Sequence, residues 1–497
     1  MSTPTDLAAR PTTPDKGLAA DSVGLLSMVS LGLASVAPAY SITVTLGLVV
    51  LAVGHLAPAA LLVGFVPILC TAYAFRELNR VMPDCGTNFV WITRSFGPWI
   101  GWIFGNWLPQ TATLIAMTAL AQVGATNLLD VAGLTDLAGR TLPVTCLGAL
   151  LIALATAVGY RGVQLSAAVQ TVMVAVQLAA LIGFGVAALA AHDAASEFSP
   201  GWLNPFAFHG TGPFAQSVLL CLFIYWGWDA ALTVNEEARD RTRTPGRAAV
   251  LSTLVLLSTY LFTAVAAISF AGTGATGLGL GNASNAADVL GTLAPAVLGA
   301  PVAKGVQLAV ALSAVAALLT CVVSTARPNV SVASHGAMPA AFARVHPRYR
   351  TPTVATLFTG AVAVALLAVL SFAAPAFLGD AVLSIGLLVC AYYGATAFAC
   401  VWHFRAELRS GGRALVFKGL LPLAGGLMML AAFARSAVDM VDPDYGATSI
   451  DGVGGVFLLG IGSIVLSLPV TALLRLRFPE FFRNGRRTVT DLIVTED

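Results

Sequence analysis

A carboxylate and a glycine stand among tryptophans in Tyr225-Trp226-Gly227-Trp228-Asp229, and Asn235-Glu236-Glu237 follows closely, in a segment otherwise apolar enough to cross a bilayer. A charge at membrane depth costs about 2.5 kcal/mol or more on insertion scales, so such an acid faces a cavity, a partner or a transported species rather than lipid. Glycine beside it lets the helix open there. Three chemistries suit Asp229: titration coupled to transport, a polar cap that holds the opened helix, or contact with a cationic part of a substrate. The first two together are the preferred reading. Glu236 and Glu237 lie near Arg239, Arg241 and Arg243, which points to a gate or to structural ion pairs rather than a substrate site.

A second interruption is written into Leu31-Gly32-Leu33-Ala34-Ser35-Val36-Ala37-Pro38-Ala39-Tyr40-Ser41, where a mid-span proline removes a backbone donor and frees carbonyls before it. By contrast, nothing in the chain has the spacing of an enzyme centre. There is no HExxH, nucleophile elbow or paired-carboxylate arrangement. The seven cysteines show no CxxC or Cys/His ligand spacing and read as small apolar residues, so no metal or disulfide is expected. No cofactor motif is present, and no cofactor is expected.

The elements that must position these residues are membrane helices. Hydrophobic residues make up 57% of the 497 and charged residues only 10%, a composition whose solvent is lipid. At about 20 apolar residues per crossing, the sequence predicts an all-α integral membrane protein of about twelve spans. They begin near Val23, Pro58, Trp99, Pro143, Ser166, Phe214, Arg247, Pro301, Val354, Ala381, Val416 and Val453. Placed on alternate connections, 23 of the 26 basic residues fall on one face, leaving Arg140, Lys304 and Arg435 on the other. Short basic loops mark the cytoplasmic side, so both termini are expected in the cytoplasm and the span count is even. The net charge of +2 is then a sum over two faces and implies no nucleic-acid partner. Residues 1–21, with Pro4, Pro11 and Pro14, read as a short disordered tail. Outside the other face, a short helix is expected near Asn285 to Leu293, ending before Pro295.

In secondary transporters built from inverted repeats, interrupted helices at matching positions of two halves bring unpaired backbone groups to the bilayer midplane, where substrate and ions bind. The first and sixth spans match if the repeat unit is five helices. Gly227 and Pro38 could each be a mere packing notch or kink, but the pair joined by Asp229 favours a binding site.

Four stretches resemble the amino acid-polyamine-organocation permeases, over about Ser22 to Arg475. Ala72-Tyr73-Ala74-Phe75-Arg76-Glu77-Leu78 runs on to Met82-Pro83-Asp84-Cys85-Gly86 and Ser95-Phe96-Gly97-Pro98, similar to that family's loop after span two. Gly227-Trp228-Asp229 with Glu236-Glu237 and Pro245 looks like its sixth-span segment. Thr325-Ala326-Arg327, His335-Gly336-Ala337-Met338-Pro339 and His346-Pro347-Arg348-Tyr349-Arg350-Thr351-Pro352 are similar to its segment after span eight. Ser35-Val36-Ala37-Pro38 stands where the family usually has two glycines.

The resemblance implies a five-plus-five inverted repeat with interrupted helices 1 and 6 and two extra C-terminal helices: a tail (1–21), first repeat (22–200), second repeat (201–405), helices 11 and 12 (406–476) and a second tail (477–497). It implies a permease of the cytoplasmic membrane that moves an amino acid by alternating access, by symport or antiport. Amides of Ser35, Val36 and Ala37 would hold an α-carboxylate, as orphan donors at a helix N-terminus favour an anion. Carbonyls from about Phe223 to Trp228 would take the ammonium, with Phe223, Tyr225 or Trp226 adding a cation–π face. Phe223 is favoured, because relatives present a gating aromatic there. Gln110 and Thr111 are pocket candidates, and Thr320, Cys321 and Ser324 could complete a sodium site or line the pocket. Two departures matter. Where proton-coupled relatives carry a lysine in span five this chain aligns Gln177, which leaves H+ or Na+ coupling open, and without two glycines the carboxylate nest is weakened, so a carboxylate-free organic amine is the alternative substrate. A transporter-like sensor without flux is the alternative of a different class.

Overall fold

In a computed structural model of the chain, residues 16–191, 197–373, 377–484 and 495–496 are described. Among the described residues, eleven helical segments are long and apolar enough to cross a membrane. The first, Leu25–Val81, has 57 residues; the short turn Gly54–Leu56 divides it before the 25-residue helix Ala57–Val81. The others run Pro98–Val131, Thr141–Arg161, Val163–Ala190, Thr211–Thr233, Thr244–Ala271, Ala300–Ser334, Thr353–Ala373, Leu383–Phe404, Gly412–Asp439 and Gly455–Arg477. Strand is confined, among the described residues, to the two-residue pairs Arg344–Val345 with Thr495–Glu496 and Ser449–Ile450 with Val453–Gly454.

Burial follows from lipid as solvent. Leu142, Val172, Val186, Leu473 and Leu476 are exposed although apolar, and Ala300–Ser334 and Leu383–Phe404 form the inside of the bundle. Small residues let helices approach: a Cβ added at Gly64 would lie 2.5 Å from the Cβ of Cys221, which brings the sixth span's helix against Ala57–Val81.

Two expectations change. The outer helix is Val289–Leu298 and carries Pro295 within it rather than ending before it. The side chain of Asp288 caps its start by accepting from the amide of Gly291. The missing proline donor falls in the last turn, where little of the hydrogen-bond ladder remains to be lost. At the chain's start, Lys16 is buried rather than part of a free tail, for a reason given below; residues 1–15 and most of 477–497 lie outside the described residues.

Candidate functional site

The first interruption is a change of helix direction made without glycine. Helix Leu25–Val36 ends on Ala37, which takes φ 53° and ψ 68°, and helix Pro38–Val53 starts at once. Pro38 occupies the first helical position, where a missing N–H costs nothing. Ser35 and Val36 lie in the last helical turn and the Ala37 N–H donates to the Ala34 carbonyl at 3.1 Å, so the amides expected to form a carboxylate nest are already engaged. A helix end leaves carbonyls open. The Val36 carbonyl accepts from Ser41 Oγ at 2.6 Å. Across the turn, the Tyr40 N–H donates to Ser313 Oγ at 3.2 Å, and Ser313 donates to Gln177 Oε1 at 2.7 Å. Gln177 therefore props the turn from behind, and its own Nε2 is buried without a partner among the described residues.

The second interruption lies against the first. Helix Thr211–Tyr225 ends at Trp226, Gly227 takes φ 116°, and the one-turn helix Ala230–Thr233 follows Asp229. A Cβ at Gly227 would meet Ser35 carbonyl atoms at 3.0 Å and its Oγ at 3.1 Å. Only glycine combines that φ with that proximity. Half-buried Asp229 is held by two phenols: Tyr393 donates to Oδ1 at 2.9 Å and Tyr392 to Oδ2 at 3.3 Å, and Tyr392 in turn accepts from Trp226 Nε1 at 2.5 Å. Among the described residues no basic side chain forms an ion pair with it. Phe75 then links Tyr393 and Trp228 to Trp91 through edge contacts with centroids 5.1–5.5 Å apart.

Two adjoining cavities open on these turns. One is lined by Ser35, Gln110, Trp226, Gly227, Asp229, Cys321 and Ser324, among others, and the second by Ser35, Val36, Ala37, Phe223 and Trp226. Ser35 and Trp226 face both. The remaining candidates lie elsewhere. Tyr225 is buried against Phe65 and Tyr260. Thr320 donates to the carbonyl of Ala316, and Pro38 and Thr111 are not among the lining residues. Thr113 takes the place expected for Thr111, because a residue three along from Gln110 shares its helix face whereas the next residue is turned about 100° away. Gln110 itself donates to Asn329 Oδ1 at 3.1 Å and to the Thr325 carbonyl. Tyr392, Thr87 and Asn88 line the cavity without having been singled out in the sequence. A carboxylate withdrawn from water needs donors, so a tyrosine pair in an apolar span was the available signal.

Glu236 and Glu237 take different partners from the arginines beside them in sequence. Arg327 donates from Nε and Nη2 to both Glu237 oxygens, at 2.5 and 3.0 Å, in the bidentate geometry that guanidinium favours. Lys16 meets Glu236 Oε1 at 2.5 Å and Asp84 Oδ2 at 2.9 Å. All five are at most 3% exposed, and this pairing fixes Lys16. Burial works against the charged forms, yet Lys16 holds Asp84 well below the usual carboxylate range, and Asp84, Cys85 and Glu236 hold Lys16 above its ordinary value. Burial likewise lowers His335 despite Asp84 nearby.

Comparison with known proteins agrees with this architecture. An uncharacterized transporter of Mycobacterium tuberculosis (strain ATCC 25618 / H37Rv) is 29% identical over 351 residues, covering 70% of this chain and 73% of its own. The branched-chain amino acid permease BcaP of Lactococcus lactis subsp. cremoris is 28% identical over 222 residues, 42% of this chain and 45% of its own. A methylthioribose transporter of Bacillus subtilis is 24% identical over 305 residues, 59% and 62%. The amino acid permease profile matches residues 23–467; the chain is a multi-pass membrane transporter, not an enzyme, and belongs to the amino acid permease family.

Proposed function

We propose that the protein is a secondary active permease that carries an amino acid across the cytoplasmic membrane by alternating access, coupled to an ion gradient or to exchange. The observation that carries this reading is the contact of the two helix interruptions, Ser35 on Gly227, beside a cavity that Asp229 faces. Under it, residues 22–200 and 201–405 are two inverted five-helix repeats, 406–476 adds two helices, both termini are cytoplasmic, and the buried ion pairs around Glu236 and Glu237 close the cytoplasmic end. Open carbonyls at the end of Leu25–Val36 and the carboxylate of Asp229 would take an ammonium. Gln177 has no titrating proton, so Asp229 is the group left to couple proton movement to transport.

One observation favours a second reading, a permease for organic amines: the amides of Ser35, Val36 and Ala37 are engaged within and at the end of their helix, and an acid rather than a base faces the cavity.

The test is uptake of labelled amino acids and amines into proteoliposomes, with and without proton or sodium gradients, for wild type and Asp229→Asn. Gradient-driven uptake of an amino acid, reduced to the level of empty liposomes by the substitution, is expected. Uptake only of compounds lacking a carboxylate would shift the assignment to an amine permease. Saturable binding without flux under any gradient would make the protein a sensor.

A further inference from the structure

The ammonium of Lys16 lies between two carboxylates that, with a neighbouring thiol, have the composition of a divalent-metal ligand set. A carboxylate oxygen of Asp84, Cys85 Sγ and a carboxylate oxygen of Glu236 lie within 4.8 Å of one another, all buried. Lys16 Nζ is 2.9 Å from Asp84 Oδ2 and 2.5 Å from Glu236 Oε1. His335 adds the independent sign. Its Nδ1 is 2.7 Å from the Ser331 carbonyl, which places the ring proton there. The other nitrogen, Nε2, is then a bare lone pair, 4.0 Å from Asp84 Oδ2, on a side chain only 7% exposed, and among the described residues it has no hydrogen-bond partner. A buried imidazole nitrogen without a donor is costly in a finished polar network; as a metal ligand it is satisfied.

The surroundings are already those of a second ligand shell. Asp84 Oδ1 accepts from the Gly86 N–H at 2.8 Å and from Ser331 Oγ at 2.6 Å, leaving Oδ2 turned toward Lys16. The Cys85 N–H orients Glu236 Oε1 at 2.8 Å. Carbonyl-fixed histidines and hydrogen-bonded carboxylates of this kind hold metal ligands in place. A tetrahedral zinc site has ligand atoms about 3.5 Å apart, so Asp84, Cys85 and Glu236 need draw in by about an ångström once a dication replaces the ammonium, and His335 Nε2, 4.0 Å from Asp84 Oδ2, would turn in to complete the set.

We propose that this cluster is a binding site for a zinc-like divalent cation, with Asp84, Cys85, Glu236 and His335 as ligands, which the metal takes in exchange for the side chain of Lys16. The exchange balances. The ammonium leaves with one positive charge, the Cys85 thiol gives its proton to water, and the ion brings two, so the buried cluster keeps the same net charge. Sulfur, imidazole and carboxylate together select zinc-like ions over magnesium or calcium. Metal binding therefore requires the Lys16 side chain to leave the cluster, while Leu18 packed on Cys85 and Val345 and the Gly17 carbonyl facing Arg350 keep their own contacts.

Cobalt titration of the purified full-length protein tests this, with Co2+ as the optical stand-in for zinc. One Co2+ per chain is expected, with the intense thiolate-to-cobalt absorption band. Cys85→Ser should remove that band while leaving the melting temperature of the metal-free protein close to that of wild type, since the thiol's hydrogen bond to the Arg327 carbonyl at 3.4 Å is one a hydroxyl can make. Lys16→Met, which removes the competing ammonium, should tighten binding by about tenfold or more. A band that survives Cys85→Ser, its absence from both wild type and Lys16→Met, or equal affinity in those two proteins would overturn the proposal. None of these outcomes depends on whether substrate is transported.

Discussion

Arg327→Met is expected to destabilise the folded protein severely, and adding Glu237→Gln in the same chain is expected to restore most of what was lost. Both side chains are at most 1% exposed, and the guanidinium also donates to the Val323 carbonyl at 3.1 Å. Removing one member of such a pair strands the other charge in a low dielectric, at a cost of about 3–5 kcal/mol, whereas replacing both with neutral groups of similar volume is often close to neutral. Burial already pushes the Glu237 carboxyl up, with Arg327 opposing it. Thermal unfolding of the two variants in detergent measures this. If Arg327→Met melts with wild type, or if the double variant melts no higher than the single, the pair is not the buried, mutually dependent unit described here.

Gly227→Ala is expected to leave a protein that inserts and purifies but takes up no substrate. At φ 116° a non-glycine residue carries about 1–3 kcal/mol of backbone strain. The added methyl would also stand 3.0 Å from the Ser35 carbonyl carbon and oxygen, so either the sixth-span turn unwinds or the first-span turn is displaced. Both alter the cavity wall that Ser35, Trp226 and Asp229 share. Gly183→Ala is the matched control, because nothing lies within 4 Å of a Cβ there and its φ is not positive. Uptake and melting should be unchanged in the control. Wild-type uptake by Gly227→Ala would mean that the close approach of the two turns has no bearing on transport.

Helices were legible because lipid leaves the backbone no other choice: each apolar run must satisfy its own hydrogen bonds, and spans expected from Trp99, Pro143 and Val354 start at Pro98, Thr141 and Thr353. The turns in the first and sixth spans were legible to the extent that Pro38 and Gly227 punctuate apolar runs. What the turns do with their amides was not, because alanine at position 37 accepts a left-handed conformation that its type does not advertise. Contacts between distant residues were the least legible. Glu236 stands beside a run of arginines in sequence yet pairs with a lysine 220 positions away. Asp229 and Tyr393 are 164 apart. The Asp84, Cys85, Glu236 and His335 side chains show no ligand spacing along the chain, and only packing of three separate segments brings them together.

The buried charges around Lys16, Asp84, Glu236, Glu237 and Arg327 also bear on how this end of the bundle can come apart. They tie the start of the chain, the loop after Ala57–Val81, the extension of the sixth span and helix Ala300–Ser334 to one another. Withdrawing the Lys16 segment or helix Ala300–Ser334 alone leaves buried carboxylates without their counter-ion and still out of reach of water, which is the least favourable arrangement available to them. Withdrawing all of them together hydrates every ion at once. Partial separation is therefore expected to be a barrier rather than a resting point, so that under the proposed alternating access this end would dwell shut or apart, with rare and abrupt passages between the two.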